Sequence, residues 1–284
     1  MTAAFPTIAA VSPIPRSTPR STPRSTLDEA VADVRETGVG VVTGVLDPDE
    51  TASVRAALWA AAEAEERRGE ELRVAALDPN ANNLRVVRLL NEGAAFVGLA
   101  LHEVALAAAT ALLGERFLLS NISANIALPG SGSMELHADQ GYVVPPWPPT
   151  PLALNVMWLL DDFTESTGAT RYVPGTVGAV RGPEPAEEVE TVPIVAPAGS
   201  VALMDARVWH TSGANTTADQ ERAGIFAYYV LPWLRPQVNW TAVLDPDVVA
   251  TAPAGLLELV GYRDGNDELR RRLVAARDRR LGGG

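Results

Sequence analysis

The 284-residue sequence contains no cysteine. Disulfides, thiolate nucleophiles and sulfur-ligated zinc are therefore excluded, and a metal would have to be held by histidine and carboxylate. A chain without thiols also fits a reducing cytoplasm. Histidine is nearly as scarce, with only His102, His137 and His210. Positive charge is in deficit, with 23 Lys and Arg against 35 Asp and Glu and a formal charge of −12. This acidic body argues against nucleic acid and against an anionic membrane surface as partners. No apolar run is read as reaching the roughly 18–20 residues that a membrane span needs. The opening MTAAFPTIAAVSPIP lacks a basic stretch and is broken by prolines, so a signal peptide is not expected.

What remains is an ordinary globular balance, 47% hydrophobic and 20% charged, in a chain long enough for one large core. Residues 16–26 read RSTPRSTPRST. Such a repeat cannot bury a core, so residues 1–26 are expected to be a disordered leader and 27–284 a single domain. Arg, Ser and Thr without acids also resemble an organellar transit peptide. LDEAVADVRETG has the pattern of an amphipathic helix ending at Gly38, followed by a short buried strand in VGVVTGVL. A strong helix follows, with Asp47 or Asp49 as its N-cap. A further helical stretch spans about 94–113 and closes at Gly114.

From about 115 to 235 the texture is β. RFLLSNISANIALPG, LALNVMWLLDDF, RYVPG, GSVALMD and GIFAYYVLPWL are short apolar or alternating runs separated by turn residues. Several strands without intervening helices predict an antiparallel sandwich or barrel. Helices are predicted again at 253–262 and 266–281. The basic tail ELRRRLVAARDRR could pack on the core or on a second subunit, so a monomer or a homodimer is expected.

His137 opens HADQ and places Asp139 two positions on. On a strand these two side chains would face the same space. His210 ends VALMDARVWH, which reads as a separate strand. Two histidines and one carboxylate form a facial triad for iron(II), leaving the other face of the octahedron open. Taken alone, HxD is an ordinary surface or turn pair and a Trp-His is an ordinary packed histidine. Their surroundings change this reading.

HADQGY, WLLDDFTESTGATRYVPGT, APAGSVALMDARVWHTSGANTT and PWLRPQVNW, in this order over roughly 120–240, resemble the phytanoyl-CoA dioxygenase family. The resemblance implies a mainly β fold with flanking helices and a double-stranded β-helix (jelly-roll, cupin-like) core. It implies Fe(II), with 2-oxoglutarate and O₂ as co-substrates. His137, Asp139 and His210 match the family's iron ligands. Arg222, twelve positions after His210, matches the basic residue that grips the distal carboxylate of 2-oxoglutarate. A guanidinium suits that task because it offers two parallel donors. Thr170, in GATR, is a second candidate contact, and Asn155 a third. Some members carry Gln three residues before the first histidine, where this chain has Met134.

Radical halogenases of similar fold replace the carboxylate by a small residue to admit chloride. The retained Asp139 favours hydroxylation or a related oxidation such as desaturation, ring formation or epimerisation. The expected substrate is a small, partly apolar metabolite of specialised biosynthesis rather than an acyl-CoA. Gln140, Tyr142 and Trp147 are candidate substrate contacts. The stiff loop YVVPPWPPTP, residues 142–151, is either a lid or a rigid surface connection. Trp158, Trp209 and Trp233 read as core or cavity wall. Arg85 and Arg88, in RVVR, could meet an anionic group or lie on a solvated strand face. His102 reads as a helix-surface or core residue. Two other readings stand beside the oxygenase: a catalytically silent binding protein that keeps the fold, and a cupin-like metal enzyme that works without O₂.

Overall fold

The computed structural model describes residues 23–262 apart from 79, 81, 186 and 188. Most of the expected leader and the predicted helix at 266–281 lie outside the described residues. Residues 24–26 at the end of the expected leader are tied to the domain. The Arg24 backbone donates to Val41 and accepts from Thr43, and its guanidinium pairs with Asp33 at 2.7 Å. Thr26 then caps α1, Leu27–Thr37. Gly38 ends this helix at φ 91°, a conformation that a Cβ disfavours.

The second helix, α2, spans Pro48–Arg67. Asp47, not Asp49, is its N-cap, and a reciprocal bond from the Asp47 backbone to Glu50 completes a capping box. The stretch read as one helix is two, α3 at Ala94–Ala100 and α4 at Glu103–Leu113. The break falls at His102, whose Nδ1 accepts from the Val104 amide at 3.2 Å and caps α4. Its ring stands edge-on to Trp158, 4.9 Å between centroids. Contrary to the sequence reading, the stretch Ala94–Leu113 has the length and composition of a membrane span, although its helix breaks at His102. Phe96, Leu99, Ala100, Ala105, Ala108 and Ala109 from this stretch are buried in the protein's own core. The helix predicted at 253–262 is α7 (Ala254–Leu259), and two further short helices, α5 (Trp240–Val243) and α6 (Pro246–Thr251), precede it.

Two antiparallel sheets form the β layer. The larger comprises β1 (Val39–Val42), β2 (Asn83–Val86), β3 (Leu118–Ala127), β4 (Ala153–Leu159), β7 (Val201–Asp205) and β9 (Arg222–Val230), in the order β1-β7-β4-β9-β3-β2. The smaller comprises β5 (Thr170–Tyr172), β6 (Val192–Pro193) and β8 (His210–Ser212), in the order β6-β5-β8. The edge strands β1 and β2 come from the N-terminal third, so the β layer is not confined to 115–235.

Strand alternation sorts the residues between two compartments. Leu154, Val156 and Trp158 of β4, with Ile225 and Tyr229 of β9, join the helix-covered core. The intervening Asn155 and Met157, with Phe226 and Tyr228, face a cavity on the opposite side. Thr170 of β5 and His210 and Ser212 of β8 reach the same cavity from the smaller sheet.

Candidate metal centre and co-substrate pocket

His137 and His210 pair directly across a two-residue bridge. The His137 amide donates to the His210 carbonyl at 2.9 Å, and the His210 amide returns the bond at 2.8 Å. Each imidazole is also fixed at Nδ1, His137 against the Glu135 carbonyl at 3.0 Å and His210 against Val208 at 2.9 Å. A carbonyl can only accept, so Nδ1 carries the proton and Nε2 keeps a free lone pair. Burial, the largest influence, lowers the His210 pKa to about 4, which keeps that ring neutral at ordinary pH.

Asp139 does not lie on a strand, as the HxD spacing suggests. It begins a 3₁₀ turn, Asp139–Tyr142, entered from an extended Ala138. The turn still aims its carboxylate inward. Oδ1 stands 3.6 Å from His210 Nε2 and 3.9 Å from His137 Nε2, and one ligand atom from each residue falls within 4.8 Å of the others. Nor is VALMDARVWH one strand. β7 stops at Asp205, which accepts from the amide and guanidinium of Arg207 and closes a turn. His210 then opens β8 in the other sheet.

The three residues line one wall of a partly open cavity of ≈160 Å³. Arg222 lines it from the first position of β9. Only 1% of this residue is exposed, yet its Nε and Nη2 have no hydrogen-bond partner. The guanidinium lies 4.8 Å from the Phe163 ring. Gly224 makes room for that ring, because a Cβ there would come within 2.9 Å of Phe163. Burial first, and then the charge of Arg85, lowers the Arg222 pKa to about 10. A buried cation with unused donors is costly unless an anion arrives. A dicarboxylate fits this requirement, and two imidazoles with a carboxylate fit an oxygen-activating divalent metal.

Thr170 is buried and lines the cavity. Asn155 lines it too, but its Nδ2 donates to Asp139 Oδ2 at 2.9 Å. Its amide keeps a second N–H donor and the acceptor Oδ1. The geometry makes Asn155 a support for Asp139 and leaves its second N–H for a co-substrate. Gln140, Tyr142 and Trp147 are not among the cavity's lining residues. Gln140 is fully buried, with both amide atoms unpartnered. Tyr142 is half exposed and hydrogen-bonds Tyr228. Trp147 packs with Ala138, Val173 and Trp209. That packing and the contact of Arg207 with Pro148 anchor loop 142–151 at Trp147 and Pro148, while Val144 stays exposed.

Tyr228 is the residue that motif reading misses. It lines the cavity and donates to the Asp139 carbonyl at 3.3 Å. Counting in twos along β9 from Arg222 would have put it on the same face.

The family model for phytanoyl-CoA dioxygenase (PhyH) matches residues 34–224. The chain belongs to this family. As a phytanoyl-CoA dioxygenase relative it is an iron- and 2-oxoglutarate-dependent dioxygenase. It is 40% identical over 238 residues to "Dioxygenase af480" of Aspergillus fumigatus, covering 82% of this chain and 76% of that protein. Its fold is similar to the carbocyclase SnoK from nogalamycin biosynthesis, with a TM-score of 0.60 and 24% identity over 79% of this chain and 90% of the other. It is also similar to HygX from Streptomyces hygroscopicus with nickel, 2-oxoglutarate and hygromycin B bound, with a TM-score of 0.59 and 16% identity over 73% and 88% of the two chains. The two sheets are thus the jelly-roll core of the family. Where some family members have glutamine, Met134 lines the cavity with its thioether, 3.8 Å from Nη2 of Arg85.

Proposed function

We propose that His137, Asp139 and His210 hold Fe(II), that Arg222 and Thr170 hold 2-oxoglutarate, and that the enzyme hydroxylates a small metabolite. One observation carries this reading. Three converging metal-ligand atoms and an unpaired buried guanidinium share one small cavity. Bound iron with its co-substrate would supply the O₂ activation and C–H oxidation that no protein side chain provides.

The chain's own residues bind and orient. The Nδ1 bonds hold both imidazoles with Nε2 presented inward. Asn155 restrains Asp139 so that Oδ1 faces the histidines. Arg222 would take the distal carboxylate through its two free donors, with the Thr170 hydroxyl as a second contact. The retained carboxylate at 139 favours oxygenation over halogenation.

The substrate reading follows from the mixed lining. Met157, Met204 and Phe226 offer apolar surface, and Asn121 and Gln237 offer amides. A small, partly apolar metabolite with hydroxyl or amine groups matches both. The nogalamycin-biosynthesis setting of SnoK and the hygromycin B bound to HygX support a specialised metabolite. A cytoplasmic monomer or homodimer without nucleic-acid or membrane partners completes the proposal.

The test is spectroscopic. Fe(II) and 2-oxoglutarate added without O₂ should give the weak visible charge-transfer band of a chelated co-substrate. Asp139→Ala and His210→Ala should each abolish it, and a band of undiminished strength in either variant would refute the ligand assignment.

A further inference from the structure

The larger sheet presents its cavity face in rows. At the metal end, Met204 of β7, Asn155 of β4, Tyr228 of β9 and Asn121 of β3 stand side by side in register, and all four line the cavity. Asn155 and Tyr228 both bond Asp139, one at the carboxylate and one at the backbone carbonyl. Asn121 ends the row, roughly two strand spacings or 10 Å from Asn155 at the backbone. The two cations lie elsewhere. Arg85 is level with Asn125, four residues or about 13 Å further along β3. Arg222 opens β9, six positions before Tyr228. The residues beside Asn121, namely Tyr228 across the sheet and Gln237, are neutral.

A β-bulge aims Asn121. The β3–β9 register shifts between Leu119, opposite Tyr229, and Asn121, opposite Tyr228, so Ser120 is the extra residue. Leu119 and Ile122 therefore both reach the helix-covered core although three positions apart, while Asn121 and Ser123 face the cavity. Ser120 is fully buried and ties down the segment after β9. Its Oγ accepts from the Gln237 amide at 2.8 Å and its carbonyl from Val238 at 3.0 Å. Gln237 is exposed and lines the cavity, which places it at the mouth. Its Oε1 lies 3.4 Å from Asn121 Nδ2, a long and weak contact. Asn121 Oδ1 is buried and has no hydrogen-bond partner among the described residues. An unpaired buried oxygen costs free energy that an incoming donor recovers.

We infer that Asn121, assisted by Gln237, sets substrate specificity by binding a neutral hydroxyl group of the substrate, at the end of the row remote from Asp139. The inference rests on the metal centre and the reaction proposed above. A substrate hydroxyl donates to Asn121 Oδ1 and accepts from an amide N–H of the same pair. A carboxylate has no proton to give that oxygen and finds no cation at this end. Tyr228 stands between Asn121 and Asn155, and Phe226 beside it on β9 adds apolar surface for a carbon skeleton. The substrate is then an uncharged cyclic alcohol, with its hydroxyl and its reacting carbon on opposite edges of the ring system.

Two probes with one skeleton, 2-decalol and decalin-2-carboxylate, test this on the full chain loaded with Mn(II) and 2-oxoglutarate without O₂. Paramagnetic relaxation of the probe protons, followed by NMR titration, reads affinity and orientation together. 2-Decalol should bind more tightly than the carboxylate, and its carbinol proton should relax more slowly than the protons of the opposite ring edge. Asn121→Leu should weaken 2-decalol binding roughly fivefold, the worth of one hydrogen bond between neutral groups, and erase the difference in relaxation. Its effect on the carboxylate should be smaller. Gln237→Leu, at an exposed position, should lose less and serves if Asn121→Leu does not fold. The inference is overturned if no folded variant changes the affinity or orientation of 2-decalol, if the carboxylate binds better, or if neither probe binds the unaltered chain. The charge-transfer band of the unaltered chain with Fe(II) and 2-oxoglutarate reports the underlying reading separately. With the band present, any of these three outcomes defeats the specificity contact alone. A missing band defeats the metal and co-substrate assignment as well.

Discussion

Asp139 must present one oxygen to a metal and keep the carboxylate from turning away. Asn155 meets the second need by donating to Oδ2, while Oδ1 faces His137 and His210. Such supporting bonds typically contribute 10- to 100-fold to metal affinity. Asn155→Ala should therefore weaken Co(II) or Fe(II) binding by roughly tenfold or more, measured by anaerobic titration. An unaltered metal affinity would show that Asp139 needs no support. Arg222→Ala should instead raise the 2-oxoglutarate requirement with little change in metal binding, and an unchanged requirement would remove Arg222 from the pocket. At this scale the sequence was legible where motifs are. His137, Asp139, His210, Arg222 and Thr170 all line the cavity. It was not legible where a role depends on a neighbour. Asn155 was singled out as a co-substrate contact, and the motif gave no sign of its bond to a carboxylate sixteen residues away. Nothing in the motif forecasts that the chain turns after Tyr142 and carries Trp147 into a separate cluster.

Among the elements, α1 was readable to its closing Gly38, while the N-cap of α2 was narrowed to Asp47 or Asp49. The Asp47–Glu50 capping box makes a direct prediction. Asp47→Ala should cost about 1 kcal/mol of stability, seen as a lower urea midpoint, and an unchanged midpoint would mean that the cap is dispensable. The long strands β3, β4, β7 and β9 were also readable, because each combines apolar alternation with flanking turns. The short β6 and β8 were not, since two or three residues carry no period. The break at His102 escaped notice for a different reason. Apolar periodicity runs through it, and an imidazole is not a usual N-cap, yet here its Nδ1 takes the Val104 amide.

At the scale of the whole molecule, the join between α2 and the sheet edge holds an acid that is almost fully buried. Glu65 is 2% exposed and accepts from the Val87 amide at 3.1 Å. Burial is the main cause that raises its pKa from 4.5 to about 7. As pH rises from 4.5 towards 7, the unfolded chain ionises this group while the folded chain still holds the proton. Folding stability from this site is thus fully present below pH 4.5 and is lost as pH climbs through about 7. Glu65→Gln cannot ionise and should show a flatter fall in urea stability between pH 5 and pH 8. Parallel profiles for the two proteins would disprove the shift. Composition could not reveal this group. Glu65 sits in a charged run, AEAEERRGEE, and its bond from the Val87 amide joins it to a segment 22 residues away.

The reciprocal bridge between His137 and His210 has a consequence for which metal the protein carries. Both imidazoles are locked by backbone bonds that do not depend on the metal. Little chain ordering is then left for an incoming cation to induce, and capture costs mainly the removal of water. A rigid N₂O donor set also has no means of rejecting ions that bind such donors more strongly than ferrous iron. Cobalt and nickel would both outrank it in the Irving–Williams series. Occupancy is then governed by which free ions the surroundings supply, and nickel in excess should act as a competitive poison.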